Sequence, residues 1–355
     1  MKVLIDIGHP AHVHFFSHPI KKWQQAGHKV IVSSRYKEIA TDLLDALKVE
    51  HHVLSAMNKG SVGGMALELL VRDLALFKLV RSEKPDILTG IGGIFVAHVG
   101  FVSRTPSIVF YDTENATLSN LITYPFCSMV VVPSCYQKWL PPWHLRYPGY
   151  HELSYLHPNR FTPDKKKAIS CGLHPEKLNF LIRVVSWQAS HDVTEKGWNI
   201  DLLRQVTNYL AARGNVLISS EGELPKDLLA FRYTGPPEDI HHLMAYLNLF
   251  IGESATMASE CVALGIPAIY AAHSSRGYMD EQERRYGMAV HLKNLHWPVI
   301  EKTIAGILEI APSVWQDKQA QLLAEKIDVA EFVCQFVEKY PQSINTYKAQ
   351  FANIG

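Results

Sequence analysis

Short apolar runs bounded by Gly, Pro or polar clusters alternate along this chain with longer stretches whose apolar residues recur three and four apart. These are the periods of buried strands and amphipathic helices. Lys2 to Ile7 predicts a strand covered on both faces, and Phe15 to Ala26 a helix ended by Gly27. The cycle continues with His28–Ser33 as strand, Tyr36–Leu47 as helix and His51–Leu54 as strand. A long helix then runs to Lys84, followed by the strand Ile87–Thr89, the turn Gly90-Ile91-Gly92-Gly93 and a helix Phe95–Ser103. Ser107–Phe110 and Met129–Val132 are further strands. Such alternation predicts a parallel sheet with helices on both faces, joined by right-handed crossovers.

Between Cys135 and Lys167 the period dissolves into Pro, Trp, Tyr, His and Lys, which predicts a domain boundary. A second series starts with the strand Phe180–Ser186, the helix Asp201–Arg213 and the strand Asn215–Ser219. Its centre is Pro237–Tyr270: a short helix bearing Ile240, Leu243, Met244 and Leu247, the strand Leu249–Ile251, the loop Gly252-Glu253-Ser254, the helix Ala255–Leu264 and the strand Ala268–Tyr270. The expected fold class is α/β, with two doubly wound Rossmann-like domains facing each other across a cleft. Residues 1–163 form the expected first domain, 164–179 a linker and 180–312 the second domain. Helices in 313–355 are expected to pack back on the first. A chain of 355 residues exceeds one core of ordinary size, which agrees.

Charge narrows the classes of partner. Lys+Arg 35 against Asp+Glu 34 leaves a net charge of +1 without like-charged runs, which argues against a nucleic-acid surface. Five cysteines are scattered with no C-x-x-C pair, the pattern of reduced thiols in a cytoplasmic protein. No apolar stretch approaches the ~18–20 residues of a membrane span, so a soluble chain is expected. Peripheral membrane contact and homodimerisation stay open.

The central stretch carries chemistry. Ser254 is placed to cap the following helix, Gly265 and Pro267 stop it, and small residues leave its first N–H groups open to an anion. The pattern D-I-x-x-L-M-A…G-E-S-A-T-M-A-S-E-C-V-A-L-G-I-P-A-I resembles the donor-binding segment of GT-B glycosyltransferases, MurG-like ones included, and of the non-hydrolysing UDP-N-acetylglucosamine 2-epimerases. With its opening D-I-G-H-P-A-H-V-H-F-F, the chain over nearly its full length resembles the DUF354 family of GT-B-like prokaryotic proteins. The resemblance implies that Gly252, Ser254, Ala255 and Thr256 hold a nucleotide diphosphate and that Glu260 binds the ribose hydroxyls. It implies a metal-independent glycosyltransferase that moves a hexosyl or N-acetylhexosaminyl group from a nucleotide-diphosphate sugar, UDP first, to an unidentified acceptor. No further cofactor is required. A 2-epimerase-like isomerase and a non-catalytic binding protein are the alternatives.

Ligands of doubly wound sheets bind beyond the carboxyl ends of the strands, so the remaining candidates lie in loops. After the first strand, His9, His12 and His14 crowd beside Gly8. Their H-x-x-H-x-H spacing in a loop without a carboxylate or thiolate neighbour argues against a metal. The resemblance implies instead that this loop faces the acceptor or sugar ring, where His12, with His14 in reserve, is the candidate general base. The same histidines would also serve as a helix cap or loop filling. Gly92 and Gly93 do not belong to a G-x-G-x-x-G motif. In the resembling transferases a similar turn lets a helix approach the ligand closely. Asp112 and Glu114, two apart after a buried strand, suit acid–base work or the orientation of a hydroxyl, although a capping pair would need no chemistry. Ser190 and His191 follow the first strand of the second domain, next to the expected diphosphate. In the loop Ser274–Gln282, Arg276 suits a phosphate, and Asp280 and Glu281 suit sugar hydroxyls. Trp139, Trp143, Tyr147 and Tyr150 would stack on an acceptor or pack between domains.

Overall fold

Lys2–Ile7 (β1) is an inner strand of a seven-stranded sheet in the computed structural model, which describes residues 1–36, 38–56, 62–114, 116–185 and 198–352. The other strands are Lys29–Tyr36 (β2), His51–Ala56 (β3), Ile87–Ile91 (β4), Ser107–Phe110 (β5), Met129–Pro133 (β6) and His144–Tyr147 (β7). Their order is β3-β2-β1-β4-β5-β6-β7, and every pairing is parallel. The apolar runs read from the sequence explain this: Val3, Leu4, Ile5 and Ile7 are fully buried, as a strand covered on both faces requires. Leu4, Leu88, Val109 and Val130 pack against Leu76 and Val96 from the helices Val62–Glu83 and Ile94–Ser103.

Two departures from the sequence reading matter here. The first helix is Pro10–Gln25, so it starts before Phe15 and takes His12 and His14 out of the loop in which they were expected. His9 caps it by accepting the Ala11 N–H at 3.2 Å, and Pro10 in the first turn loses nothing, because its missing N–H would have had no partner there. The strand β7 lies inside the stretch expected to be a connector. It buries only alternate residues, Leu145 and Tyr147, and so lacks the continuous apolar run of its neighbours.

A separate unit, Phe161–Glu325, holds a five-stranded sheet. Its strands are Leu178–Val184 (β8), Gly214–Ser220 (β9), Leu249–Gly252 (β10), Ala268–Ala271 (β11) and Ala289–Leu292 (β12), in the order β12-β11-β10-β8-β9. Phe180, Ile182, Leu203, Ile251, Ile269 and Ile304 form its core. The break between units falls at Arg160/Phe161, where the sequence reading put the end of the first domain at 163. Residues 164–179, expected as a linker, carry the helix Lys165–Ser170, capped by Asp164 through the Lys166 N–H at 2.8 Å, and belong to this unit.

The tail divides. The helix Pro312–Glu325 stays with the second unit, where Gln319 Nε2 donates to Ala263 O at 2.8 Å and Glu325 pairs with Arg285 at 2.6 Å. Lys326–Gly355 joins Met1–Arg160 to make the first unit. There Ile327 N–H donates to Pro148 O at 2.9 Å, and Arg160 Nε donates to Asp328 Oδ2 at 2.8 Å. Among the described residues no helix is long and apolar enough to cross a membrane.

Candidate functional site

Each sheet has one place where strand order reverses, between β1 and β4 in the first unit and between β8 and β10 in the second. Loops leaving the strands there part in opposite directions and open a crevice, the usual ligand position in this architecture. Asp6 and Gly90 stand at the first of these places, and Arg183 and Gly252 at the second.

In the first unit, β1 and β4 bring Asp6 opposite Gly90. Asp6 is 6% exposed and meets the buried guanidinium of Arg72, whose Nη2 lies 2.9 and 3.0 Å from its two oxygens; Ser33 Oγ donates to Oδ1 at 2.7 Å. Arg72 stacks over the Phe95 ring at 4.3 Å and keeps Nε without a partner. A charge buried this deeply is sustained only by such pairing. Gly93 begins the next helix, and a Cβ there would stand 2.4 Å from Val109 Cγ1, so only glycine lets the turn close against β5. Gly92 O accepts the Tyr111 hydroxyl at 2.7 Å.

His12 sits beside this pair on the first turn of Pro10–Gln25. Its Nδ1 accepts the Gly8 N–H at 3.3 Å. Burial first, then His9, push its pKa down to about 3, with His151 and Arg72 adding and Asp112 opposing. The ring is therefore neutral near pH 7, and with Nδ1 as acceptor its proton is on Nε2. His12 thus presents a neutral hydrogen-bond donor. His14, two residues further along the helix, stacks on Tyr155 at 5.2 Å.

Asp112 and Glu114 are split by their backbone. Asp112 Oδ2 lies 3.2 Å from His151 Nδ1, and Oδ1 accepts the Thr113 hydroxyl at 2.9 Å. Burial works to raise this carboxyl, but His151, Thr113 and His12 outweigh it and bring it to about 2. Glu114 is 6% exposed, accepts the Gln137 N–H at 3.4 Å and lines a separate pocket. Asp6, Arg72 and His151 were not singled out from the sequence. A lone Asp inside the run K-V-L-I-D-I was the available signal, since a buried carboxylate needs a partner.

In the second unit, Gly252 pairs with Arg183 across β10 and β8. A Cβ on Gly252 would stand 2.2 Å from Arg183 O. Ser254 caps the helix Ala255–Ala263 by accepting the Met257 N–H at 3.2 Å, and Glu253 accepts the N–H groups of Val185 and Trp198 at 3.0 and 2.9 Å. Ala255 is buried and Thr256 half-buried at the helix start. Arg183 donates to Ser219 Oγ at 2.8 Å and to Glu221 Oε1 at 2.6 Å and leaves Nε unpartnered. Burial lowers its pKa, against the carboxylates of Glu221, Glu260 and Glu253. Glu260, 5% exposed, holds His241 Nε2 at 3.0 Å.

Ser274–Gln282, expected as a loop, is partly the helix Gly277–Arg284, with Arg276 at its cap position. Arg276 Nη1 donates to Ser275 O at 2.9 Å, and Asp280 accepts the Ser275 hydroxyl at 2.7 Å. Glu281 is half-buried in the same helix. Ser190 and His191 lie outside the described residues. Among the described residues no group of three or more His, Cys, Asp or Glu side chains is arranged to hold a metal ion.

Residues 1–145 match the family model DUF354, described as a protein of unknown function, a shorter span than the near-full-length resemblance expected. An uncharacterized protein of Methanocaldococcus jannaschii is 24% identical over 137 residues, 38% of this chain and 39% of that protein. The match thus spans about two fifths of that relative's length. Among solved structures, the UDP-GlcNAc 2-epimerase of Neisseria meningitidis bound to UDP-GlcNAc superposes with a TM-score of 0.67 at 12% identity, over 96% of this chain and 100% of that one. MurG of Acinetobacter baumannii gives 0.60 at 12%, over 96% and 100%. The spinosyn rhamnosyltransferase SpnG, complexed with spinosyn aglycone, gives 0.62 at 12%, over 96% and 100%. At such identity the likeness establishes the fold, which is of the GT-B type.

Proposed function

We propose that the protein is a nucleotide-sugar-dependent glycosyltransferase. The observation that carries this reading is the pairing of Gly252 with Arg183 at the strand-order reversal of the second unit. It sets an open helix start beside a guanidinium whose Nε is unpartnered, two features that attract the same ligand, an anion with several oxygens. A nucleotide diphosphate fits. Its oxygens would accept from Ala255, Thr256 and Arg183, and Glu260 would face the ribose. Arg276, Asp280 and Glu281 are assigned to the sugar and its phosphate.

In the transfer, the acceptor's hydroxyl oxygen bonds to the anomeric carbon. The bond from that carbon to the diphosphate breaks, and its electron pair leaves with the phosphate oxygen. The hydroxyl proton passes to a carboxylate base, for which Asp112 and Glu114 are the candidates, and His12 is the candidate donor of a neutral hydrogen bond. Helix N–H groups and Arg183 stabilise the charge gathering on the diphosphate, so this route requires no metal. UDP is the first nucleotide to test, because the Neisseria meningitidis structure was solved with UDP-GlcNAc. The reading places the reaction in the cytoplasm and needs no nucleic-acid partner.

One observation favours a second reading. His12, Asp112 and His151 form an acid–base group on one unit, as proton removal and return at a sugar carbon would need. Incubating UDP-GlcNAc without acceptor separates the two: an isomerase converts it to its 2-epimer, and a transferase leaves it intact.

The test of the donor site is a thermal-shift panel of UDP, GDP, CDP, dTDP and ADP with their sugar derivatives, on wild type and Arg183→Gln. A ligand at ~100 times its Kd adds about 2.7 kcal/mol of stability. A shift with one nucleotide, reduced in Arg183→Gln, supports the reading; no shift with any of them ends it.

A further inference from the structure

The segment after β5 sends its two carboxylates to different surroundings. Asp112 faces His151, whereas Glu114 lines a pocket of about 390 Å³ on the first unit, walled by Leu121, Tyr124, Trp139 and Trp143 and edged by Lys138. That volume falls among those of small-molecule sites. The walls are mainly ring faces and aliphatic surface. Tyr124 and Trp139 have ring centroids 6.3 Å apart, and Trp143 is fixed by its Nε1–H donating to Tyr124 O at 3.0 Å. Trp139 is nonetheless 72% exposed and Leu121 64% exposed, so apolar area stands in water that a ligand's body would cover.

The polar side of the pocket has its own preference. Asn120, 9% exposed and also on the wall, donates Nδ2–H to the Tyr136 hydroxyl at 3.2 Å and leaves Oδ1 without a partner. A buried acceptor with no donor is costly, and the Glu114 carboxylate is a second acceptor on the same wall. The pocket therefore combines aromatic walls with acceptors that match a hydroxyl donor.

We infer that this pocket takes the apolar body of a hydroxylated acceptor, a planar aromatic alcohol, whose O–H donates to Asn120 Oδ1 or Glu114. This names the acceptor class and rests on the transferase reading above.

The test uses the full chain and two probes, 2-naphthol and its methyl ether 2-methoxynaphthalene, titrated by calorimetry into wild type, Trp139→Ala and Leu121→Lys. Both substitutions fall at exposed positions, and an unchanged Tm checks that each variant is folded. Saturable 2-naphthol binding is expected, weakened about tenfold or more in both variants and by about as much for the ether in wild type. No saturable binding, or equal affinity in wild type and both variants, overturns the inference. Equal affinity of the ether overturns the hydroxyl's part in it. Attachment to phosphatidylglycerol vesicles that depends on Trp139, with no uptake of free 2-naphthol, also overturns it and makes the surface a membrane contact. Nucleotide titration of the same preparations keeps the two readings apart. Nucleotide binding without 2-naphthol binding sinks the acceptor site alone, and the reverse keeps the pocket while the donor reading falls.

Discussion

Gly8 N–H and His12 Nδ1 meet at 3.3 Å, and this one bond decides which nitrogen of the ring carries its proton. With Nδ1 accepting, the proton is on Nε2, and His12 can hand a hydrogen bond to a substrate oxygen without being charged. The arrangement has a thermodynamic signature. The folded-state pKa is brought to about 3 by burial and then by His9, against 6.5 for the free side chain. The unfolded chain then binds a proton below pH 6.5 that the folded one refuses. Stability from this group is complete above 6.5 and falls with pH by about 1.4 kcal/mol per unit down to the folded value. Below 3.8 the depressed pKa of Asp112 adds to the loss, since its stabilisation disappears as pH falls through about 2. Urea unfolding at pH 7, 6, 5 and 4 should show a shallower slope for His12→Gln than for wild type. Parallel slopes would mean that His12 titrates normally in the fold.

The pair Asp6 and Arg72 predicts a strongly non-additive double-mutant cycle. Arg72→Met leaves a carboxylate at 6% exposure with the Ser33 hydroxyl in place of a cation, and Asp6→Leu leaves the guanidinium against the Phe95 ring without its carboxylate. Each single change should cost about 3–5 kcal/mol, because it strands a buried charge. The double variant should cost much less than their sum, since packed apolar groups replace a buried pair at little expense. Denaturant midpoints of the four proteins measure the coupling, and simple additivity would refute it.

How much of this was legible in the sequence follows from which contacts are local. Buried parallel strands write themselves as apolar runs, so β1, β5, β6, β10 and β11 are readable where they stand, and the helix after Ser254 is readable from its cap and stop signals. The edge strand β7 is not, because half its residues face outward and its run H-L-R-Y carries no continuous signal. Arg72 and Asp6 stand 66 positions apart, and only the fold brings them together. His151 and Asp112 belong to different segments, and no spacing links them. Asp112 and Glu114 read as a pair because they stand two positions apart along the chain, yet the backbone turns them toward different neighbours.

His98 should give a pH dependence of opposite sign to that of His12. Its Nδ1 lies 2.8 Å from Asp73 Oδ2 and its Nε2 2.8 Å from Ile122 O, so both nitrogens face acceptors and the doubly protonated ring is favoured. The hydrogen bond to Asp73 raises its pKa, ahead of burial, which opposes it. A raised folded pKa gives stability that is complete below 6.5 and is lost as pH rises through the folded value. In wild type the midpoint in urea should therefore decline as pH rises above 6.5, and Asp73→Asn should remove most of that decline. An NMR titration of His98 with a midpoint at or below 6.5 would contradict this account.

The same substitution at two glycines should act in opposite directions. Gly306 lies in the helix Trp297–Leu308 with no atom within 4 Å of an added Cβ, so Gly306→Ala removes only the unfolded chain's extra freedom and should stabilise by about 0.5–1 kcal/mol. Gly252→Ala places a Cβ 2.2 Å from Arg183 O and 2.8 Å from Arg183 N, both backbone atoms held in β8, so β10 must move away from its neighbour. Overpacking of this kind costs about 1–3 kcal/mol. Movement of β10 also pulls the Ser254-capped helix start away from Arg183, so the nucleotide-induced thermal shift should shrink beyond what lost stability explains. The two effects separate when nucleotide Kd is measured well below the Tm of each variant. A Gly252→Ala protein that binds with unchanged affinity would show that the close approach of these strands serves packing alone.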